Sequence, residues 1–185
     1  MKRVVIIIAL SIATGLSCKS GPPQQASGLV TTTASPAALK AIGYITDDAK
    51  VIDESSKKQL ETTLAAFKAR KRIDFAVVTV KTTGEQSVRD YSLALARERK
   101  SSSNEDNVSG LLLVVAVEDR KWHIQITNNL EDDLTDEILT NLSTPMTDSF
   151  RQNRYGEGIV KYVNAVIAEL DRKLATESTK NTKNS

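Results

Sequence analysis

The chain has 185 residues with 25 basic and 23 acidic side chains, a formal net charge of +2, and only 4% aromatic residues. It therefore lacks the strongly basic composition that nucleic-acid binding requires. Cys18 and His123 are the only cysteine and the only histidine, which excludes an internal disulfide and a zinc site with several histidine or thiolate ligands.

The N-terminal segment has the pattern of a bacterial export signal that ends at a cysteine. Lys2 and Arg3 precede an apolar run over residues 4–13, which is too short to span a bilayer comfortably. Small residues then lead to Cys18, as in lipoprotein precursors. We predict a signal peptide over residues 1–17 and acylation of Cys18, with palmitate as one of the chains. Cleavage without lipidation and an uncleaved anchor are the alternatives.

The residues after the cysteine predict a tether and a location. Residues 18–43 contain Pro, Gly, Ser and Thr without apolar periodicity, which is typical of a flexible linker. Lys19 replaces the aspartate that commonly retains lipoproteins in the inner membrane of enteric bacteria. We therefore expect a lipid-anchored protein of the cell envelope, on the periplasmic side of the outer membrane where the host has two membranes.

The segment 44–174 predicts one domain, and its first half alternates between helical and strand patterns. Apolar residues at helical spacing, with Asp53 as a candidate N-cap, predict a helix over 54–70. Residues 75–80 are β-branched and mostly apolar, so they predict a strand. A second helix follows and ends in a loop near residues 101–104. Its apolar positions are Val88, Tyr91 and Leu95.

The second half predicts a hairpin and two more helices. The unbroken apolar run 111–117 is typical of a central strand that is buried on both faces. A tight turn over 118–121 leads into 122–126, whose alternation predicts a half-exposed strand. Apolar spacing then predicts a helix over 138–150, which Pro145 either interrupts or restarts, and a long final helix. Residues 175–185 lack apolar periodicity and predict a disordered tail.

The order of these elements predicts the fold class. A helix between strands 75–80 and 111–117 makes them parallel through a right-handed crossover, and the hairpin makes 122–126 antiparallel to 111–117. The predicted fold is α/β: a three-layer α/β/α sandwich with a small mixed sheet of about four strands and helices on both faces.

Four groups of residues occur in an order and spacing typical of one known family. They are residues 45–53, the strand 73–80, residues 110–114 with the turn 118–121, and the set Phe150, Arg151, Tyr155, Gly158 and Ile159. On these the chain resembles the TPM domain over about residues 44–172. That family is named after a thylakoid lumen protein, a photosystem II repair protein and a receptor-auxiliary protein.

Two functions of different classes are open, the first resting on the predicted anchor and tether and the second on the resemblance. The first is a non-enzymatic module that binds envelope proteins in the assembly or maintenance of membrane complexes, acting as a monomer. The second is a divalent-metal-dependent phosphatase, since weak acid phosphatase activity has been attributed to the plant thylakoid member. We expect the first, because no Ser/His/Asp set, P-loop or dinucleotide fingerprint is present, and no catalytic residue is assigned.

Carboxylates gather at one edge of the predicted sheet, where a hard cation could bind. The candidate ligands are Asp106, Asp132, Asp133 and Asp136, with Asp74, Glu105, Glu131 and Glu137 nearby. Oxygen ligands without imidazole or thiolate favour Ca²⁺ or Mg²⁺. The opposing interpretation is that Asp133 or Thr135 caps the next helix, that acidic residues in its first turn suit its dipole, and that the others are solvated. His123 lies on the same side of its strand as Lys121 and Gln125. We therefore predict that its side chain is solvated or packed against a helix.

Overall fold

The structure, a computed structural model, describes residues 43–102 and 109–183. These residues form a four-stranded sheet with helices on both of its faces. In chain order the elements are β1 (Ile45–Asp47), α1 (Glu54–Lys71), β2 (Ile73–Val80), α2 (Val88–Ser102), β3 (Ser109–Ala116), β4 (Lys121–Ile126), α3 (Asp136–Arg151) and α4 (Tyr155–Lys183). A short 3-10 helix over Asn128–Leu130 precedes α3.

The sheet has the strand order β1-β2-β3-β4. β1 and β2 are parallel, β2 and β3 are parallel, and β3 and β4 form an antiparallel hairpin. The predicted parallel crossover and the predicted hairpin are therefore confirmed. β1 is the strand that the sequence pattern did not locate, because three residues are too few to display a period of two.

The two faces of the sheet are buried under different helices. Alternate residues of β2 and β3, such as Phe75 and Leu113, join α1, α3 and α4 in the larger apolar core. The intervening residues, such as Val78 and Val114, pack with α2 in a smaller core. β3 is therefore apolar throughout because both of its faces are covered. The three-layer α/β/α sandwich is confirmed.

The helix boundaries follow local capping chemistry. The Asp53 side chain accepts a hydrogen bond from the Ser56 backbone N–H at 2.9 Å, which confirms it as the N-cap of α1. The Thr135 side chain accepts from the Ile138 N–H, so Thr135, and not Asp133, caps α3. Arg72 ends α1 in the left-handed conformation with φ of 56°.

Two helices are more continuous than the sequence pattern suggested. Pro145 lies inside α3, so it neither interrupts that helix nor starts a new one. Its missing N–H removes one bond of the ladder, and apolar packing of α3 against α4 keeps the rest of the helix in place. α4 continues to Lys183, through most of the segment 175–185 that we expected to be disordered. No Gly or Pro follows Gly158, and extending an existing helix is far easier than nucleating one.

Among the described helices, none is both long enough and apolar enough to cross a membrane. The predicted signal peptide over 1–17, the tether over 18–43 and Cys18 lie outside the described residues, apart from the last residue of the tether. These assignments therefore stay predictions.

Candidate functional site

A cleft of about 510 Å³ opens beside the turn that joins β3 to β4. Three parts of the chain line it: the hairpin, the end of α3 and the start of α4. The lining residues are Val115, Ala116, Arg120, Lys121 and Trp122 from the hairpin, Thr147, Phe150 and Arg151 from α3, and Asn153 and Tyr155 from the region where α4 begins. The volume lies within the usual range for ligand pockets, about 300–1,000 Å³.

The hairpin turn is held in place by the carboxylate of Asp119. This carboxylate accepts hydrogen bonds from the Thr82 hydroxyl at 2.8 Å and from the Thr83 backbone N–H, also at 2.8 Å. The bonds to Thr83 and Thr82, assisted by the charge of Lys121, lower the pKa of Asp119 against the opposing effect of burial. The loop after β2 and the hairpin turn are thereby joined through one charged group.

Arg120 follows in the left-handed conformation, with φ of 52°. Its N–H closes the turn by donating to the Val117 carbonyl at 3.2 Å. Most non-glycine residues avoid this conformation, which for an L-residue costs about 1–2 kcal/mol. The turn therefore places an exposed arginine at the rim of the cleft where glycine would fit the backbone better.

Aromatic side chains form the walls of the cleft. The rings of Phe150 and Tyr155 have centroids 4.8 Å apart, and Trp122 meets the ring of Tyr162 edge to face at 5.5 Å. Tyr162 is fully buried, and burial raises the pKa of its hydroxyl well above the usual range. These ring pairs fix the positions of Trp122, Phe150 and Tyr155, so the walls are largely preformed.

A glycine allows α3 and α4 to approach closely at the same place. A Cβ added to Gly158 would lie 2.9 Å from the Met146 carbonyl oxygen and 3.0 Å from the Phe150 ring. Those distances are shorter than Cβ atoms tolerate, so only glycine permits this packing. The close contact brings the end of α3 beside the start of α4 and so shapes one side of the cleft.

The lining of the cleft is cationic. It includes Arg120, Lys121 and Arg151 and no acidic residue. Arg151 pairs with Asp148 on the same helix, at the solvent-exposed surface. The side chains of Arg120 and Lys121 form no ion pair or hydrogen bond with any residue in the described ranges. The cleft therefore combines apolar ring surface with the exposed cations Arg120 and Lys121, of which Lys121 also acts on the Asp119 carboxylate.

The predicted acidic edge lies at the other end of the hairpin. Asp132 and Asp133 follow the 3-10 helix, and Asp136 is the first residue of α3. Asp132 and Asp136 are exposed, and Asp133 is half-buried. Asp106 lies outside the described residues. Within residues 43–102 and 109–183, no three His, Cys, Asp or Glu side chains are grouped so that they could hold a metal ion. The four-carboxylate Ca²⁺ or Mg²⁺ site, which includes Asp106, stays a prediction.

Asp74, which we placed near that edge, is already neutralised by basic residues. Arg99 donates to its carboxylate at 2.8 Å, and the Lys68 ammonium lies 3.7 Å from it. The side chain is mostly buried, so these two basic partners replace much of its contact with water. In the described structure Asp74 ties α1, β2 and α2 together.

His123 lies opposite Val114 in the register of the hairpin, and so it shares the face of the sheet that α2 covers. It is half-buried. Burial and the charge of Arg89 lower its pKa, which a hydrogen bond with Gln125 and the charge of Asp136 only partly oppose. These surroundings agree with a helix-packed histidine.

Sequence reasoning did not identify the cleft. The sequence pattern places Trp122 in the half-exposed strand 122–126, and it names Phe150 and Tyr155 only among the residues that resemble the TPM domain. Each cation does stand next to an aromatic side chain in the sequence, Lys121 before Trp122 and Arg151 after Phe150. That signal is weak, because the two pairs are some thirty residues apart and only the packing of α3 and α4 beside the hairpin joins them.

The layers and sheet order define the class as an α/β/α domain on a four-stranded mixed sheet. The sequence model of the TPM domain family matches residues 45–169, and the chain therefore belongs to that family. No curated protein matches the chain.

Three solved structures are similar to it. The N-terminal domain of a P. gingivalis protein is 27% identical with a TM-score of 0.67, and the match covers 76% of this chain and 94% of that one. A protein from the psychrophilic bacterium Bizionia argentinensis is 19% identical with a TM-score of 0.56, covering 65% and 82%. The N-terminal domain of a Corynebacterium glutamicum protein is 17% identical with a TM-score of 0.53, covering 68% and 78%. At those identities the last two support the fold alone.

Proposed function

We propose that this protein is a TPM-domain module, anchored in the cell envelope through acylated Cys18, that binds other proteins and performs no catalysis. It acts as a monomer on the end of the tether 18–43, in the assembly or maintenance of membrane complexes. The observation that carries the proposal is the cleft at the β3–β4 turn. Its preformed aromatic walls and available cations are suited to recognition.

The composition of the cleft supports binding in particular. Tryptophan, tyrosine and arginine are the residues that most often dominate the energy of protein interfaces. Trp122, Tyr155, Arg120 and Arg151 supply all three types within one concavity. A metal-dependent phosphatase would need carboxylates converging on a cation, and no observation within the described ranges specifically favours that alternative.

The experiment that tests this function is affinity capture from cross-linked membranes with the full chain as bait. The control bait carries residues 1–43 fused to an unrelated folded domain, so that it keeps the same anchor and tether and lacks the TPM domain. We expect a reproducible set of envelope proteins with the full chain that the control does not recover. Recovery of the same proteins with both baits, or of none with either, would contradict the proposal.

A further inference from the structure

We infer that the cleft at the β3–β4 turn receives an acidic segment of the partner protein, in which a carboxylate stands next to an aromatic or large apolar side chain. The inference rests on the proposed function and adds to it the chemistry of the partner. Nothing in the family membership or in the similar structures assigns a ligand to this cleft.

The charge of the cleft selects an anion. Arg120 and Lys121 are exposed and adjacent in the chain, and neither has an ion-pair partner among the described residues. The nearby carboxylate of Asp119 accepts hydrogen bonds from the hydroxyl of Thr82 and from Thr83, and it also feels the charge of Lys121, so Arg120 is the rim cation that no described carboxylate neutralises. Guanidinium and ammonium groups bind carboxylates through charge-assisted hydrogen bonds, which are about twice as strong as neutral ones. An acidic side chain is therefore the natural partner at this rim.

The rings select an apolar neighbour beside that anion. Trp122, Phe150 and Tyr155 line the same concavity as the cations, and Val115 and Ala116 add aliphatic surface. A lone inorganic anion would leave this surface exposed to water, whereas an apolar side chain next to the carboxylate would cover it. A volume of about 510 Å³ is large enough for more than one side chain.

The N-terminal segment of the chain is not a complementary occupant. After the predicted cleavage, residues 18–42 contain Lys19 and Lys40 and no acidic residue. Like charges would be brought together if this segment entered the cleft, which disfavours the contact. The charge balance therefore favours a partner in trans.

The cleft contains its own reporter, because Trp122 is the only tryptophan in the chain. The probe is a capped peptide, acetyl-Gly-Asp-Phe-Glu-Gly-amide, titrated into the full chain in detergent while tryptophan emission is followed. The comparison peptide, acetyl-Gly-Asn-Phe-Gln-Gly-amide, keeps the shape and removes the charge. We expect a saturable change in emission with the acidic peptide and binding at least about tenfold weaker with the neutral one.

Two double variants test whether the peptide binds at the cleft. Arg120→Gln with Lys121→Gln should weaken binding of the acidic peptide at least about tenfold while leaving the melting temperature unchanged, because both side chains are exposed. The control is Arg89→Gln with Arg97→Gln, which removes the same charge from exposed positions of α2, on the other face of the sheet. This control should bind as the unaltered chain does. Added salt should weaken binding to the unaltered chain.

The inference is overturned by any of these peptide results: equal affinity for the two peptides, equal loss in both double variants, or saturation by inorganic phosphate at the peptide's affinity. Binding to anionic phospholipid vesicles that Arg120→Gln with Lys121→Gln abolishes, without peptide binding, would overturn it in favour of a membrane surface. Membrane capture with this double variant as bait distinguishes failure of the cleft inference from failure of the proposed function. If it still recovers the partners of the unaltered chain, the cleft inference fails and the proposed function stands. If the unaltered chain recovers none, the proposed function itself fails.

Discussion

At the scale of single residues, three aspartates of the domain serve to fix loops. Asp47 accepts from the backbone N–H groups of Val51 and Ile52 at 3.1 and 3.0 Å, Asp53 caps α1, and Asp119 holds the hairpin turn. Each carboxylate satisfies N–H groups that would otherwise lack a partner in the protein. The loops that follow β1 and β2 therefore depend on hydrogen bonds to carboxylates.

This dependence predicts that stability falls in acid. Hydrogen bonds lower the pKa of Asp53 and of Asp119 in the folded state, with the backbone bond from Thr83 acting most strongly on Asp119. A group whose pKa is lowered on folding stabilises the protein above its unfolded value of about 3.9, and that contribution is lost as the pH falls through the folded value. The free energy of unfolding should therefore decrease below about pH 4.

Asp119→Asn tests this prediction. We expect the variant to lose about 1 kcal/mol of unfolding free energy at pH 7, since charge-assisted bonds become neutral ones, and to show a shallower decline in acid. Denaturant unfolding between pH 2.5 and 7 measures both quantities. Glu118→Gln, which removes an exposed carboxylate from the same turn, is the control and should unfold as the unaltered chain does. An Asp119→Asn curve parallel to the unaltered one would contradict the prediction.

At the scale of elements, the pairing of α3 and α4 decides the shape of the cleft. Gly158 permits the close approach, and the Phe150–Tyr155 ring pair spans the junction between the two helices. Met146, whose carbonyl oxygen lies beside Gly158, is fully buried. These contacts keep α3 continuous even though Pro145 lies within it. Packing therefore makes α3 one continuous helix, whereas the sequence pattern predicted that Pro145 either interrupts or restarts it.

The acidic loop before α3 gives a prediction at this scale. Asp136 lies in the first turn of α3, where a negative charge stabilises the helix dipole, and Asp132 is exposed. If these groups serve as first-turn and surface charges, added Ca²⁺ or Mg²⁺ should leave the melting temperature and the NMR resonances of residues 128–137 unchanged. A cation that bound only the folded chain would raise the melting temperature by mass action.

A cation-dependent shift would instead support the predicted metal site. The test then compares the unaltered chain with Asp106→Asn combined with Asp132→Asn. Loss of the cation-dependent shift in this variant would place the cation at the loops that contain Asp106 and Asp132. Retention of the shift would place the cation elsewhere. Glu85→Gln with Glu118→Gln makes the same change in charge at exposed positions outside these loops, and it should leave any shift intact.

At the scale of the whole molecule, the predicted anchor determines where the domain works. If Cys18 is acylated, Cys18→Ala should abolish incorporation of a lipid label and either release the protein from the membrane fraction or leave the uncleaved precursor. Fractionation of cells grown with labelled fatty acid measures both. The same substitution should leave the melting curve of the folded domain unchanged. Retained label together with unchanged fractionation would refute the lipoprotein assignment.

Much of the fold could be predicted from the sequence because each signal is local. Leu60, Leu64 and Phe67 at helical spacing, Asp53 as a cap and the apolar run 111–117 each reflect the environment of one element. The parallel crossover followed from the helix between two strands. β1 was not located, since its pairing with β2 depends on backbone bonds such as that from the Val77 N–H to the Tyr44 carbonyl.

The sequence by itself determined the order of the elements after β1, the layers, the Asp53 cap and the family, because hydrophobic period and capping chemistry act over a few residues. Only the tertiary structure decided which side chains meet. It joined Lys121 and Trp122 to Phe150 and Arg151, and it paired Asp74 with Arg99. Such encounters depend on the path of the chain between elements, since contacts across the core join residues far apart in sequence.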